Sequence, residues 1–203
     1  MNQEDEKIKI YFDSAANIYK NRSKKGLGKW LRQQEAAIIK QSLKVELLDD
    51  VLELGSGTGY YSRYIYDLGC KSLTCVDFSS RMLKKIDIPG CIKVNANIQN
   101  YLSENYFDII LCAGVLEFLE HPEIVFNNVV QMLKPNGFII ILMPRYSFFG
   151  KIYQLYHRLH GFRIKLFKKE DLQRWLEKTN LNIVEYKKVS LFSIFCKLSL
   201  KEK

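Results

Sequence analysis

The residues best suited to chemistry cluster in Val51–Tyr60, VLELGSGTGY. A short apolar run carries an acid, Glu53, and breaks into glycines at 55, 57 and 59. Glycines at alternate positions strip Cβ atoms from one wall of a turn, so backbone N–H groups and the start of the following helix can face a polar ligand. A dinucleotide turn needs Gly-x-Gly-x-x-Gly, with the last glycine packing helix on strand. Counting from Gly55, that place holds the bulky Tyr60, and the third glycine comes one residue early. The pattern is Glu-x-Gly-x-Gly-x-Gly. About twenty residues on, Asp77 closes the next apolar run in CVDFSSRML, where a carboxylate can accept hydrogen bonds from both hydroxyls of a ribose. Further groups follow at Asn95-Ala96-Asn97 and, after a later apolar run, at Glu117 and His121. The last two are the acid–base types within reach of the same end of a sheet. His157 and His160 fall in a basic segment and read as surface residues. No His/Cys cluster has metal-ligand spacing, so no metal is expected.

Taken together these motifs resemble those of class I S-adenosylmethionine-dependent methyltransferases. The resemblance implies S-adenosylmethionine as cofactor, held by the turn Gly55, Ser56, Gly57 and Gly59. Glu53 would anchor that turn or meet the methionine amino group through water. Asp77 would take the ribose, with Phe78 and Met82 along the adenine edge. Asn95-Ala96-Asn97 stands where the family usually has Asp-Ala-Glu; Asn95 can still accept from the adenine amino group through its amide oxygen. Ala113 completes the set at the end of the fourth strand. An N-terminal aromatic, Tyr19 in FDSAANIYKNRS, stands where relatives close over the methionine end. YFDIILCAGVLEFLEHPE resembles the fourth strand and its loop, and LKPNGFIIILMP the turn into the fifth. In that turn Asn136 replaces a glycine, the conservative exchange if a left-handed backbone is needed. Small-molecule members often place a Glu-His pair where this chain has Glu117-Phe118, so His121 is displaced as a direct base and Glu117 is expected to position the loop. No Asn-Pro-Pro-Tyr or Asp-Pro-Pro-Tyr follows the fourth strand, which argues against amino methylation of nucleobases or glutamine.

Positioning such residues requires alternating elements. Strand-like runs are Val51–Leu54, Ser72–Val76, Cys91–Asn95, Phe107–Ala113, Gly137–Met143, Leu181–Lys187 and Leu191–Leu198. Amphipathic helical stretches lie at Gly28–Leu43, Gly59–Leu68, Ser80–Lys85, Pro122–Leu133 and Lys169–Thr179, the first with Trp30, Leu31, Ala37 and Ile38 on one side. Alternation of this kind predicts an α/β, doubly wound, Rossmann-like sheet of seven mostly parallel strands. The last two runs are too close for a crossover and predict a C-terminal antiparallel hairpin. Residues 1–203 are expected to form a single domain, with 1–45 as an N-terminal helical lid and 145–169 as a cap inserted within it.

The 203 residues suffice for a core without staples, and the five cysteines include no C-x-x-C pair. They are expected to be reduced core residues of a cytoplasmic protein. The net charge of +9 is concentrated: residues 145–203 hold 14 Lys/Arg against 5 Asp/Glu, and the rest hold 17 of each. Within Arg145–Lys169, Phe148, Ile152, Leu155, Tyr156 and Leu159 recur at helical spacing, and seven basic residues occur without an acid. This segment has three readings: a cap packed on the sheet, an interfacial helix on anionic lipid, or an RNA patch with aromatic stacking partners. YKNRSKKGLGKW resembles the corresponding stretch of ubiquinone/menaquinone-type methyltransferases, which favours the second. The expected function is methyl transfer to a small-molecule acceptor, apolar or anionic, with nucleic acid not expected as partner. The alternatives are a lipid/quinone or RNA acceptor, or a non-catalytic partner subunit that binds S-adenosylmethionine or its product.

Overall fold

The computed structural model describes residues 3–22, 26–43, 49–159, 161 and 163–201, the side chains of 3–5, 17–22, 26 and 27 excepted. Tyr19, His160 and most of YKNRSKKGLGKW therefore lie outside the described side chains. Two helices, α1 (Gln3–Arg22) and α2 (Gly26–Leu43), precede the sheet. There follow β1 (Asp50–Leu54), α3 (Tyr60–Asp67), β2 (Ser72–Asp77), α4 (Ser80–Leu83), β3 (Ile92–Asn95) and β4 (Phe107–Ala113). A single 3-10 turn, Leu116–Phe118, leads to α5 (Glu123–Met132), β5 (Leu133–Pro144), α6 (Phe148–Leu159), α7 (Lys169–Leu176), β6 (Leu181–Lys188) and β7 (Ser193–Leu200).

The strands form one sheet in the order β3-β2-β1-β4-β5-β7-β6. The pairs from β3 to β5 are parallel, while β7 runs antiparallel to both β5 and β6. Helical crossovers allow the parallel pairs; the short link between β6 and β7 permits only a hairpin. Successive strand residues point to opposite faces, so each strand feeds two apolar layers. On one face Leu52, Ile110, Ile139 and Cys196 pack with Phe126 of α5 and Leu172 of α7. On the other Val51, Leu111, Ile140 and Phe195 pack with Ile39 of α2 and Ile65 of α3. Each such aliphatic side chain contributes about 1.5–3 kcal/mol by leaving water. Lys134 ties the far ends of β1 and β4 together, its Nζ 2.7 Å from Asp50 Oδ2 and 2.8 Å from Asp108 Oδ2. Cys75, Cys112 and Cys196 are buried in strands, Cys70 and Cys91 are half-buried, and all five are free thiols.

Four expectations need correction. The buried side of α2 is Ala36, Ile39 and Leu43, whereas Trp30 is exposed, because it is the C-terminal half of the helix that meets the sheet layer. The turn into β5 contains no left-handed asparagine: among the described residues every positive φ belongs to glycine, and β5 already begins at Leu133. Gly137 is needed there for closeness instead, since a Cβ would lie 2.8 Å from the Asp108 carbonyl oxygen. The apolar side of α6 does not pack on the sheet. Gly150 and His157 are its buried residues, so His157 is not the surface residue expected, and Phe148, Ile152, Leu155, Tyr156 and Leu159 face outward. No helix among the described residues is long and apolar enough to cross a membrane.

Candidate functional site

Strand order reverses between β1 and β4: from β1 the chain builds outward through β2 and β3, then returns to place β4 on the other side. The two connecting paths diverge there and leave a crevice at the carboxyl ends of the strands, where doubly wound sheets bind ligands. A cleft lies at this point. Its floor is the turn after β1. The N–H groups of Gly55 and Ser56 donate to the Val76 carbonyl at 2.8 and 3.0 Å, fastening the turn to β2. Gly57 N–H donates to Asp77 Oδ2 at 2.8 Å, and Ser79 N–H donates to Asp77 Oδ1 at 2.8 Å. The aspartate therefore organises the turn while lining the cleft, and is only 6% exposed. Burial raises its pKa, and the two backbone donors oppose that rise. Ser79 caps α4 by accepting from Met82 N–H at 3.1 Å, which holds Met82 against the cleft beside Phe78.

Glu53 lines the same cleft from β1, fully surrounded by protein. Burial pushes its carboxyl from 4.5 to about 8, although the Ser62 hydroxyl donates to it. Of the other anticipated residues, Gly55, Ser56, Gly57, Asn97 and Ala113 also line the cleft. Gly59, Asn95 and Ala96 do not. A Cβ on Gly59 would press on Ile86 at 3.1 Å, so this glycine serves the turn's packing. The exposed Asn95 donates its amide to the Asp77 carbonyl at 2.9 Å and so braces the strand end from the side.

The acid–base candidates separate. His121 is exposed, with Nδ1 3.0 Å from Glu123 Oε1, and it does not line the cleft. Glu117 sits on the 3-10 turn behind Gly114, 4% exposed, and its Oε2 has no hydrogen-bond partner among the described residues. Burial lifts its pKa from 4.5 to about 8. Both buried glutamates therefore stay protonated in the fold across a range where the unfolded chain has ionised them. The native state binds more protons than the unfolded state between about pH 4.5 and 8. Stability should fall as pH rises through that window and level off above it. Glu117→Gln should flatten the decline by up to about 1.4 kcal/mol per pH unit. Urea midpoints at pH 5, 6, 7 and 8 would measure this, and an unaltered slope in the variant would show that Glu117 is not neutral in the fold.

Several cleft residues were not anticipated. Ile8 and Phe12 of α1 line the cleft, with the Phe12 ring 5.2 Å from Phe118 and 6.2 Å from Phe78. Phe12 stands in the same FDSAANIYKNRS segment as Tyr19, and an aromatic there was the available signal. Arg32 of α2 enters the cleft over the rings of Tyr60 and Tyr61, at 5.2 and 5.6 Å. Nothing in its sequence neighbourhood distinguishes it from a surface arginine. Among the described residues no three His, Cys, Asp or Glu side chains converge as a metal site.

The cleft fits S-adenosylmethionine on the chemistry of its own walls. A Cβ on Gly57 would meet nothing within 4 Å, which leaves the backbone open to close approach. A buried carboxyl group, Glu53 or Asp77, stands at each strand end beside it. A family profile described as a methyltransferase domain matches residues 21–186. Trans-aconitate 2-methyltransferase of Escherichia coli O157:H7 is 27% identical over 116 residues, 56% of this chain and 46% of that protein. The chain thus spans about half the length of the curated relatives it matches. Among solved structures, DhpI with S-adenosylhomocysteine superposes with a TM-score of 0.73 at 17% identity over 95% of each chain. Magnesium protoporphyrin IX methyltransferase from Synechocystis PCC 6803, also with S-adenosylhomocysteine, gives 0.76 at 12% identity over 98% of this chain and 100% of that one. N-methyltransferase NodS from Bradyrhizobium japonicum WM9 gives 0.66 at 20% identity, covering 84% and 87%. Their likeness is one of fold. The fold, the cleft and the profile define one class: the chain belongs to the methyltransferase-domain family, the S-adenosylmethionine-dependent methyltransferases of Rossmann-like fold.

Proposed function

We propose that this protein methylates a small-molecule acceptor that is apolar or anionic. One observation carries the reading: a single cleft is lined by the Asp77–Gly57 pair, by the apolar Phe12, Phe118 and Leu119, and by Arg32 over the rings of Tyr60 and Tyr61. When bound, S-adenosylmethionine supplies an electrophilic methyl on a sulfonium leaving group, open to in-line displacement by the acceptor. The chain's own work is alignment and exclusion of water, the terms that dominate when the leaving group is already good. Asp77 would hold the ribose, Phe78 and Met82 the flanks of the adenine, and Asn97 its edge. Glu53 would meet the methionine amino group. Ile8 and Phe12 on α1 line the cleft and would form part of the lid, in which Tyr19 keeps its expected place beyond the described side chains. Arg32 offers the charge that an anionic acceptor needs, and the surrounding rings favour apolar surface. The name of the Escherichia coli relative denotes a methyltransferase acting on trans-aconitate, an anion, which agrees in chemical class.

Glu117 is assigned to positioning. Its side chain is buried away from the cleft lining, burial raises its pKa, and its backbone carbonyl accepts from Lys165 N–H at 2.9 Å, joining the 3-10 turn to the segment after α6. Labelled-methyl transfer to fractionated cell extract, with products sorted by solvent partition, should place the label in small molecules. Tight S-adenosylhomocysteine binding with no transfer in any fraction would replace the proposal with a cofactor-binding partner subunit, and label retained in RNA or in bulk lipid would move the acceptor class.

A further inference from the structure

We propose that the outer face of α6 is a docking surface for an anionic phospholipid bilayer. The helix is divided lengthwise. Gly150, Tyr153, Gln154 and His157 share the inner side, where Gln154 Nε2 donates to the Ile164 carbonyl at 2.7 Å. The opposite side carries Phe148, Ile152, Leu155, Tyr156 and Leu159, with Phe148 74% and Leu159 77% exposed. An apolar strip three turns long facing water is costly unless something covers it. Neighbouring Tyr146 and Leu191 are exposed as well and extend the strip past the helix start.

Charge identifies the cover. Lys151 and Arg158 border the strip along one edge, about two turns apart on the same helix. Lys151 and Lys168 both lie over the Tyr146 ring, at 5.2 and 4.7 Å, so the chain returns a further cation to the strip's N-terminal end. Arg163 and Lys165 are exposed on the segment leaving the helix. Across residues 145–169 there is no acid, and among the described residues none of these cations joins an ion pair with a carboxylate. An apolar face bordered by Lys151 and Arg158 suits a helix lying in the headgroup plane, its ring and aliphatic side chains in the acyl boundary and its cations among lipid phosphates. The inner side connects this face to the cleft: the His157 ring stands edge-on to Phe118 at 5.7 Å, and Phe118 lines the cleft. Docking would hold the acceptor side of the cleft close to the bilayer surface. That benefit rests on the proposed methyl transfer, whereas lipid binding itself does not.

Flotation with vesicles tests it. The protein should bind phosphatidylcholine vesicles carrying phosphatidylglycerol at low salt, bind phosphatidylcholine alone weakly, and be released as salt rises. Phe148→Ser with Leu159→Ser should lower partitioning about tenfold or more, and Lys151→Glu with Arg158→Glu about tenfold. Neither pair touches the cleft, so calorimetric titration with S-adenosylhomocysteine should be unchanged in both, which also shows that the variants fold. Absence of binding to anionic vesicles at low salt would overturn the proposal, as would full binding by the Phe148→Ser/Leu159→Ser variant. A lipid-free dimer in sedimentation velocity that this variant converts to monomer would assign the face to a second copy instead. RNA retention without vesicle binding would assign it to nucleic acid.

Discussion

Replacing Asp77 by alanine is expected to weaken S-adenosylhomocysteine binding by about 1.5–3 kcal/mol, or roughly 10- to 150-fold. The residue sits where β2 ends, and its two carboxylate oxygens accept from Gly57 N–H and Ser79 N–H. A ligand hydroxyl reaching this wall would meet a carboxylate already held in place. Alanine would remove both the contact and the support of the turn, leaving two backbone donors without their acceptor in a part-buried site. Asp77→Asn separates these roles. It keeps an acceptor for one N–H but loses the charge, so its affinity should fall between the two, with a smaller loss of melting temperature than alanine. Titration calorimetry and thermal unfolding on all three proteins would measure this. A dissociation constant unmoved by Asp77→Ala would mean that another acid holds the ribose.

The second large effect concerns stability. Gly55→Ala is expected to cost about 2–5 kcal/mol. The backbone there has φ +73°, a conformation in which a side chain costs about 1–2 kcal/mol. The new Cβ would also lie 2.4 Å from Val115 Cγ2 and 2.6 Å from Val115 Cβ, in the loop after β4. Either that loop or the turn has to move, and overpacking of this kind adds about 1–3 kcal/mol. Gly57→Ala is the control. Its φ is +53° but its Cβ would meet nothing within 4 Å, so only the backbone cost of about 1–2 kcal/mol applies. Adding Val115→Ala to Gly55→Ala should restore part of the loss, because it removes the Cγ contacts and leaves the 2.6 Å one. Urea midpoints would rank the variants; Gly55→Ala no more costly than Gly57→Ala would show that the turn and the β4 loop are not packed against each other.

These two residues were legible for different reasons. Asp77 was visible because a carboxylate at a strand end, a fixed distance after a glycine turn, has few structural uses. Gly55 was visible as a glycine, but its reason was not: the expectation was access for a ligand, and the structure adds that Val115 fills the space. Asn95 shows the opposite case. Its position matched an adenine contact by resemblance, yet its amide turns to the Asp77 carbonyl at the edge of the strand. The strand-by-strand reading was close because strands covered on both faces leave continuous apolar runs in the chain itself. Arg32 left no such pattern, since its entry into the cleft depends on how α2 lies across β1 and α3.

By itself the sequence determined the alternation of elements, the closing hairpin and the glycine–aspartate pair at the strand ends, because each follows from local spacing and from the short links between neighbouring strands. Only the tertiary structure decided which residues close the cleft and which side of α6 meets the protein. An apolar strip in a sequence specifies a face, not its partner. Packing of Gly150 and His157 against the body turned that strip outward, because the small glycine and the flat ring allow the helix a close approach that Phe148 and Leu159 would obstruct.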